Sequence, residues 1–252
     1  MSKSIKEWDL AADSIEFDPM RPYRYGLSLK GIKRIPKNSK ILEVGCGQGT
    51  GLHFLKKMGF KNLYGIEVSN ERIKRAKKNV GANVFLKVYD GNKIPFSDEY
   101  FDFIFSLAVI EHVSEPLLFL KEIQRVSKKK AQIVISSDCY TWKLLQKVGF
   151  YKSVQPIDST FSIKGFMRIF KDAGLKLNNF ITFNHPLRKN ILFDLIGAKM
   201  GLKPKIDLIK IDFENEYSLF LHNLNEIKSE SNFLNMIRNY VDDENIFYLT
   251  KK

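Results

Sequence analysis

The pattern of apolar and polar positions divides the chain into short strands that alternate with helices. Apolar runs of strand length predict the first five strands at residues 41–44, 63–67, 84–89, 101–106 and 131–136. Between these runs, apolar residues recur every three or four positions, which is typical of amphipathic helices. Strands that alternate with helices predict an α/β fold with a parallel sheet and right-handed crossovers.

Capping residues mark the ends of three of the helices, which are predicted at residues 69–79, 114–126 and 162–174. Ser69 and Ser162 can each accept a backbone N–H group in the first turn. Pro116 stands in the first turn of its helix, where a missing N–H group has no cost. Gly174 follows the last turn of the third helix, where glycine is favoured.

The C-terminal half of the pattern is less regular. Leu175 to Phe183 predicts a sixth strand, and Ile246 to Thr250 predicts the last one. The segment 184–243 between them has Phe and Leu at helical spacings and is predicted to form a helical insertion or lid. Residues 1–35 are expected to add a helical cover, so that residues 1–252 form a single domain.

Candidate chemistry begins at the turn that follows the first strand, from Glu43 to Gly51. Glycines at 45, 47 and 49 allow positive φ angles and let a ligand approach bare N–H groups at a helix start. A dinucleotide fingerprint would need glycine where Thr50 stands, and no Gly-Lys-Ser/Thr sequence completes a Walker loop. The turn therefore indicates a cradle for another nucleotide-like ligand.

Polar residues follow the next strands at the same edge of the predicted sheet. Glu67 ends the second strand about 20 residues past the glycines, where a carboxylate can accept both hydroxyls of a ribose. Asp90 follows the third strand, and the Glu111–His112 pair lies just beyond the fourth. Ligands bind at the carboxyl ends of such strands, so these residues are expected to surround one site.

These features, in this order, resemble the class I S-adenosylmethionine (SAM) dependent methyltransferases. The segment 94–102 and the Glu111–His112 pair are similar to the small-molecule, type 11-like branch. The resemblance is specific from Lys40 to Ser136 and looser from Ser162 to Phe183. It implies a doubly wound, Rossmann-like sheet of seven strands with a core at 36–183. The last strand, within 244–252, is expected to enter antiparallel between strands five and six.

The resemblance also implies SAM as the cofactor. Contacts with it are expected at Glu43, Gly45, Cys46, Gly47, Gln48, Gly49, Glu67, Val68, Asp90, Gly91 and Leu107. Among them, Asp90 would bind the exocyclic amine of adenine. Glu43 would either accept the cofactor's amino group or a water, or only anchor the turn, and Cys46 is most simply a small residue. Arg24 or Tyr25 is expected near the methionine end of the cofactor.

Methyl transfer is an in-line displacement that needs alignment of donor and acceptor more than catalytic side chains. His112 is the candidate general base, with the alternative that it only holds the loop; His185 and Asp138 are further candidates. No group of Asp, Glu or His has the spacing of metal ligands. The two cysteines provide neither a metal site nor a disulfide framework.

The acceptor is constrained by Ser106 to Val109, which lack the Asn/Asp-Pro-Pro-aromatic motif of many nucleic-acid and protein methylases. A small molecule, lipid or glycan is therefore predicted, with oxygen methylation favoured. The alternatives are an RNA or protein methyltransferase and a SAM-binding scaffold without turnover.

Charge and composition add limits on partners and location. The net charge of +13 is spread over several helices, and Lys128–Lys130 are assigned to the turn before strand five, so nucleic acid is not favoured. The Phe-rich insertion and the basic helices would suit contact with a membrane surface. No apolar run is long enough to cross a bilayer and the N-terminus has no secretion core, which predicts a cytoplasmic protein. The oligomeric state is left open.

Overall fold

The computed structural model describes residues 21–138, 161–183, 221 and 244–251. Seven strands form one sheet in the order β3-β2-β1-β4-β5-β7-β6. They are β1 (Lys40–Val44), β2 (Asn62–Glu67), β3 (Val84–Val88), β4 (Phe101–Ser106), β5 (Ser127–Asp138), β6 (Leu175–Phe183) and β7 (Glu244–Lys251). Strand β7 pairs antiparallel with both β5 and β6, and the other pairs are parallel. The predicted entry of an antiparallel last strand between strands five and six is confirmed.

Five α-helices that lie wholly within the described ranges connect and cover these strands. They are α1 (Arg21–Ser28), α2 (Thr50–Lys57), α3 (Asn70–Val80), α4 (Pro116–Val126) and α5 (Ile163–Asp172). Short 3-10 helices span Lys30–Arg34 and Ile110–His112. The predicted caps are confirmed, because Ser69 accepts the Arg72 N–H at 3.2 Å and Ser162 accepts the Gly165 N–H at 3.3 Å.

Alternation along the strands builds one apolar layer on each face of the sheet. In β1, Ile41 belongs to the layer under α1, α2 and α3, whereas Leu42 belongs to the layer under α4 and α5. Both side chains are fully buried. Because both faces are covered, the central strands have apolar residues at successive positions rather than at alternate ones.

The assignment of Lys128–Lys130 to a turn was wrong. Strand β5 begins at Ser127, which pairs with Phe101, so the three lysines lie inside the strand. The register shifts between Phe101 and Phe103, where β5 contains more residues than β4, and Lys130 takes a φ of 65°. A bulge of polar residues next to a buried serine has no apolar signature, and for this reason the hydrophobic pattern places the strand start too late.

Parallel pairing places the carboxyl ends of β1, β2, β3, β4 and β5 along one edge of the sheet. We call this the carboxyl edge, and the candidate ligand residues follow strands there. Apart from Leu221, the helical lid at 184–243 lies outside the described residues, as do residues 1–20 of the N-terminal cover, so both stay predictions, as does the single-domain arrangement. Within the described part of the chain, no helix has the length and apolar content to span a membrane.

Candidate functional site

The three glycines of the turn after β1 all have positive φ angles, as predicted. The values are 74° at Gly45, 50° at Gly47 and 81° at Gly49. A Cβ atom on Gly45 would lie 2.4 Å from the Val109 Cγ2 atom, and one on Gly49 would lie 2.8 Å from Val80 Cγ1. A Cβ on Gly47 would meet no protein atom within 4 Å. The outer glycines therefore permit close packing, whereas the middle one faces open space.

Glu67 fixes this turn from the end of β2. Its Oε2 atom accepts the Gly47 N–H at 3.0 Å, and its Oε1 atom accepts the N–H groups of Val68 at 2.9 Å and Ser69 at 3.2 Å. The residue is 5% exposed. The carboxylate is thus oriented by three peptide groups, one of which belongs to the glycine turn.

Glu43 lies beneath the turn and is 1% exposed. The Tyr25 hydroxyl of α1 donates a 2.6 Å hydrogen bond to Glu43 Oε1. Gly51 makes room for this pair, because a Cβ there would lie 2.4 Å from Tyr25 Cε1 and 2.9 Å from Glu43 Oε1. Helix α1 is therefore anchored against the start of α2. Of the two N-terminal residues expected near the cofactor, Tyr25 contacts the floor of the turn.

Cys46 and Gln48 complete the turn. The Cys46 side chain is buried, and its sulfur lies 2.9 Å from the position of a Cβ on Gly65, which fits a small packing residue. Burial raises the pKa of this thiol well above its ordinary value, and the nearby charges of Glu43 and Glu67 add to the effect. The Gln48 carbonyl accepts the Asn79 side-chain amide at 3.0 Å, which joins the turn to the end of α3.

Asp90 is exposed at the carboxyl edge beyond β3. Its Oδ1 atom accepts the N–H groups of Asn92 at 2.9 Å and Lys93 at 3.2 Å, and these two bonds lower the pKa of the carboxyl. Gly91 has a φ of 83°, and a Cβ on it would lie 3.4 Å from Val68 Cγ1. Gly91 therefore lies beside Val68, the residue that follows Glu67.

The loop after β4 packs on the glycine turn and forms a wall beside it. Leu107 is buried, Ala108 has a φ of 51°, and the Ala108 N–H donates to Ser136 Oγ at 3.0 Å. The next residue, Val109, packs on Gly45. One residue before the loop, the buried Ser106 hydroxyl donates to the Val44 carbonyl at 2.9 Å. The ends of β1, β4 and β5 are therefore joined around the turn.

His112 ends the 3-10 helix that continues this loop, and its backbone N–H donates to the Val109 carbonyl at 2.9 Å. The ring is half-buried. Asp138 ends β5 opposite Glu244 at the same edge, whereas His185 lies outside the described residues. Across the described ranges, no three side chains of metal-binding type are grouped.

The segment 94–102 that carries part of the family resemblance is organised by Arg125. Its guanidinium donates to Glu122 at 2.8 Å, to Asp98 at 2.7 Å, and to the carbonyls of Ile94 at 2.8 Å and Phe96 at 2.9 Å. A surface concavity of about 600 Å³ is lined by Arg125, Tyr100 and residues 93–97, and by none of the glycine turn. This part of the motif therefore has a structural explanation that is separate from the ligand site.

Ser136, Ser106 and Ala108 were missed as site residues in the sequence. Each serine is fully buried at the end of its strand and bonds the backbone beside the glycine turn. The only available signal was a serine at the carboxyl end of an apolar run. Nothing in the residue type of Ala108 marks a positive φ, which alanine rarely adopts.

Comparisons with known proteins agree with this fold. The profile of the methyltransferase-domain family matches residues 42–135, from β1 through most of β5. An uncharacterised protein of Methanocaldococcus jannaschii is 31% identical over 160 residues, which cover 60% of this chain and 72% of that protein. The 2-methyl-6-phytyl-1,4-hydroquinone methyltransferase of Synechocystis is 32% identical over 108 residues, 42% of this chain but only 34% of that enzyme.

Among solved structures, a SAM-dependent methyltransferase from Aquifex aeolicus is 28% identical to this chain, with a TM-score of 0.52. The superposition covers 71% of this chain and 90% of that one. The likeness therefore extends beyond the segment from β1 to β5 that the family profile matches.

Proposed function

We propose that this chain, which belongs to the class I SAM-dependent methyltransferases, transfers the methyl group of SAM to a small or medium-sized acceptor. The acceptor is a small molecule, a lipid or a glycan, and oxygen is the favoured methylated atom. The named hydroquinone methyltransferase supports the small-molecule class, although this chain matches only 34% of its length.

The observation that supports this proposal most strongly is the open face of Gly47, whose backbone N–H is bonded to Glu67. A ligand can approach the backbone there, since a Cβ on Gly47 would meet no protein atom within 4 Å. A carboxylate has about four acceptor sites and three backbone N–H groups use Glu67, so about one site remains for a ligand hydroxyl. The residues present therefore fit a nucleoside cofactor that carries a ribose.

Each part of the site has a distinct task in holding the cofactor. Glu67 would accept from the ribose through its remaining acceptor site, and Asp90, whose pKa is lowered by its two backbone bonds, would accept from the adenine amine. The glycine turn and Leu107 surround the remaining part of the molecule. When bound, SAM supplies a methyl group on a cationic sulfur. The protein's contribution is then to align the acceptor and to exclude water.

His112 is the proposed base for a hydroxyl acceptor, because it follows the loop that packs on Gly45. Its backbone bond to Val109 also gives it a structural role in that loop. The two roles differ kinetically. His112→Gln leaves SAM binding unchanged and lowers kcat if the ring acts as a base, whereas a loop role alters SAM affinity as well.

The site also leads to proposals on partners and location. The net positive charge of +13 is spread over several helices rather than gathered in one arm or stripe. This supports an acceptor other than nucleic acid. Contact with a membrane surface and a cytoplasmic location are the accompanying proposals.

The acceptor class is tested by incubating the protein with methyl-labelled SAM and separate fractions of cell extract. Label in the lipid or small-metabolite fraction is the expected result. Label in RNA or protein, with a steep loss at higher salt for RNA, would replace this proposal with a macromolecular methyltransferase. Binding of SAM without label in any fraction would support a scaffold. Gly47→Ala is the negative control, since its Cβ would occupy the open face of the turn.

A further inference from the structure

The loop after β4 contains a backbone conformation that its sequence does not favour. Ala108 has a φ of 51°, in the left-handed region where the Cβ atom of an L-residue crowds the following carbonyl. An isolated chain would relax such a residue to a negative φ. The conformation therefore persists only because the surrounding structure holds it.

The contact that holds it comes from Ser136 on the neighbouring strand. The Ser136 Oγ atom accepts the Ala108 N–H at 3.0 Å, and Ser136 is fully buried. Strands β4 and β5 are paired beside this contact, with Ser106 opposite Ile135. The hydroxyl is thus presented by a rigid strand rather than by another loop.

The conformation of Ala108 reaches the ligand site through the next residue. The Val109 side chain lies so close to Gly45 that a Cβ there would approach it to 2.4 Å. The Val109 carbonyl in turn accepts the His112 N–H at 2.9 Å. A change of φ at Ala108 would therefore move both the wall of the glycine turn and the residue proposed as the base.

We propose that Ser136 is a positioning residue for the cofactor site. Its buried hydroxyl holds Ala108 at positive φ and so keeps Val109 packed on Gly45. Ser136 itself lies behind the wall and acts only through the loop. This inference rests on the proposed function, because the ligand whose affinity it sets is SAM.

The test is a cycle of Ser136→Ala and Ala108→Gly, read by calorimetric titration with SAM well below the unfolding temperature. Ser136→Ala is expected to weaken SAM binding about tenfold, since the bond that offsets the strain is lost. Ala108→Gly alone is expected to leave the affinity within about twofold, because glycine adopts positive φ without that strain. The double variant is expected to recover affinity to within about threefold of the wild-type protein, for the same reason.

Ser127→Ala is the matched control. Ser127 is also a fully buried serine of β5, and its hydroxyl donates to the Ile123 carbonyl at 2.6 Å, but it lies at the opposite end of the strand. This variant is expected to lose stability as Ser136→Ala does. It should nevertheless bind SAM with the wild-type affinity.

Two results overturn the proposal. In one, Ser136→Ala binds SAM as tightly as the wild-type protein while its unfolding temperature falls like that of Ser127→Ala, which indicates a purely structural serine. In the other, addition of Ala108→Gly to Ser136→Ala fails to restore SAM binding.

Amide hydrogen exchange of residues 107–113 provides a readout that needs no cofactor. Exchange should accelerate in Ser136→Ala and slow again in the double variant. If the wild-type protein does not bind SAM, the proposed function fails. The role of Ser136 in holding the loop is then decided by exchange alone, and unchanged exchange contradicts it.

Discussion

Removal of the Tyr25 hydroxyl tests how helix α1 is attached beneath the glycine turn. The hydroxyl donates to the buried Glu43 carboxylate at 2.6 Å. Tyr25→Phe deletes this donor and keeps the ring, whose edge contacts with Phe54 and Phe105 have centroid distances of 5.8 Å and 6.3 Å. The change therefore isolates one hydrogen bond from the packing around it.

The expected loss is about 2–3 kcal/mol of unfolding free energy, the upper part of the range for hydrogen bonds to charged groups. The upper part applies because Glu43 is 1% exposed and water cannot replace the lost donor. With about 2–4 °C per kcal/mol for a chain of this size, the unfolding temperature should fall by about 4–12 °C. In a Glu43→Gln background the same change should cost only about 1 kcal/mol, since both partners are then neutral.

Urea unfolding of the four proteins of this cycle measures the effect. Tyr248→Phe is the control, because its hydroxyl donates at 2.7 Å to the neutral Leu27 carbonyl and its loss should cost about 1 kcal/mol. A cost below about 0.5 kcal/mol for Tyr25→Phe in the wild-type background would contradict a charge-assisted bond to Glu43, since even typical neutral hydrogen bonds contribute about 0.5–1.5 kcal/mol.

Three further predictions concern the turn and its neighbours. Gly47→Ala and Gly59→Ala should cost similar stability, because both glycines have positive φ and a Cβ on either would meet nothing within 4 Å. Only Gly47→Ala should weaken SAM binding. Equal SAM affinities of the two variants would exclude a ligand at the turn. Nuclear magnetic resonance should place the Asp90 pKa below its ordinary value. A carboxyl group whose pKa is lower in the folded state than in the unfolded state stabilises the fold above its unfolded pKa, and this stabilisation is lost as the pH falls through the folded pKa. Asp90→Asn should therefore make the free energy of unfolding less sensitive to acid. An unchanged dependence of that free energy on pH would contradict this. In a Cys139→Ser background, the burial and raised pKa of Cys46 should make the native protein inert to thiol reagents at pH 8, whereas the unfolded protein should react. A rapid reaction of the native protein would show that the Cys46 thiol is accessible.

The glycine conformations could be predicted because they depend on local sequence. Positive φ at Gly47 follows from the glycine spacing, since the residue type limits what the backbone can do there. Such features are the ones that a sequence without a structure expresses most directly. The place of the antiparallel last strand was instead implied by the family resemblance.

The rest depends on contacts between distant segments. Ala108 takes a positive φ because Ser136, 28 residues away, accepts its N–H group, and Tyr25 reaches Glu43 from 18 residues away. The start of β5 was misplaced because its first residues pair with β4 by way of a polar bulge at Lys130. Tertiary contacts decide each of these positions, and no single residue type signals them.

The central claim is that the turn after β1 and Glu67 together bind SAM. It is tested most directly by calorimetric titration of the wild-type protein and of Glu67→Ala with SAM and with its demethylated product, with folding of the variant verified by circular dichroism. The wild-type protein is expected to bind both ligands with micromolar affinity. The folded variant is expected to bind them at least about tenfold more weakly, since the bonds to the ribose are charge-assisted and a factor of ten in affinity is 1.4 kcal/mol. Equal affinities would contradict the role of Glu67, and absence of binding by folded wild-type protein would contradict the cofactor site as a whole.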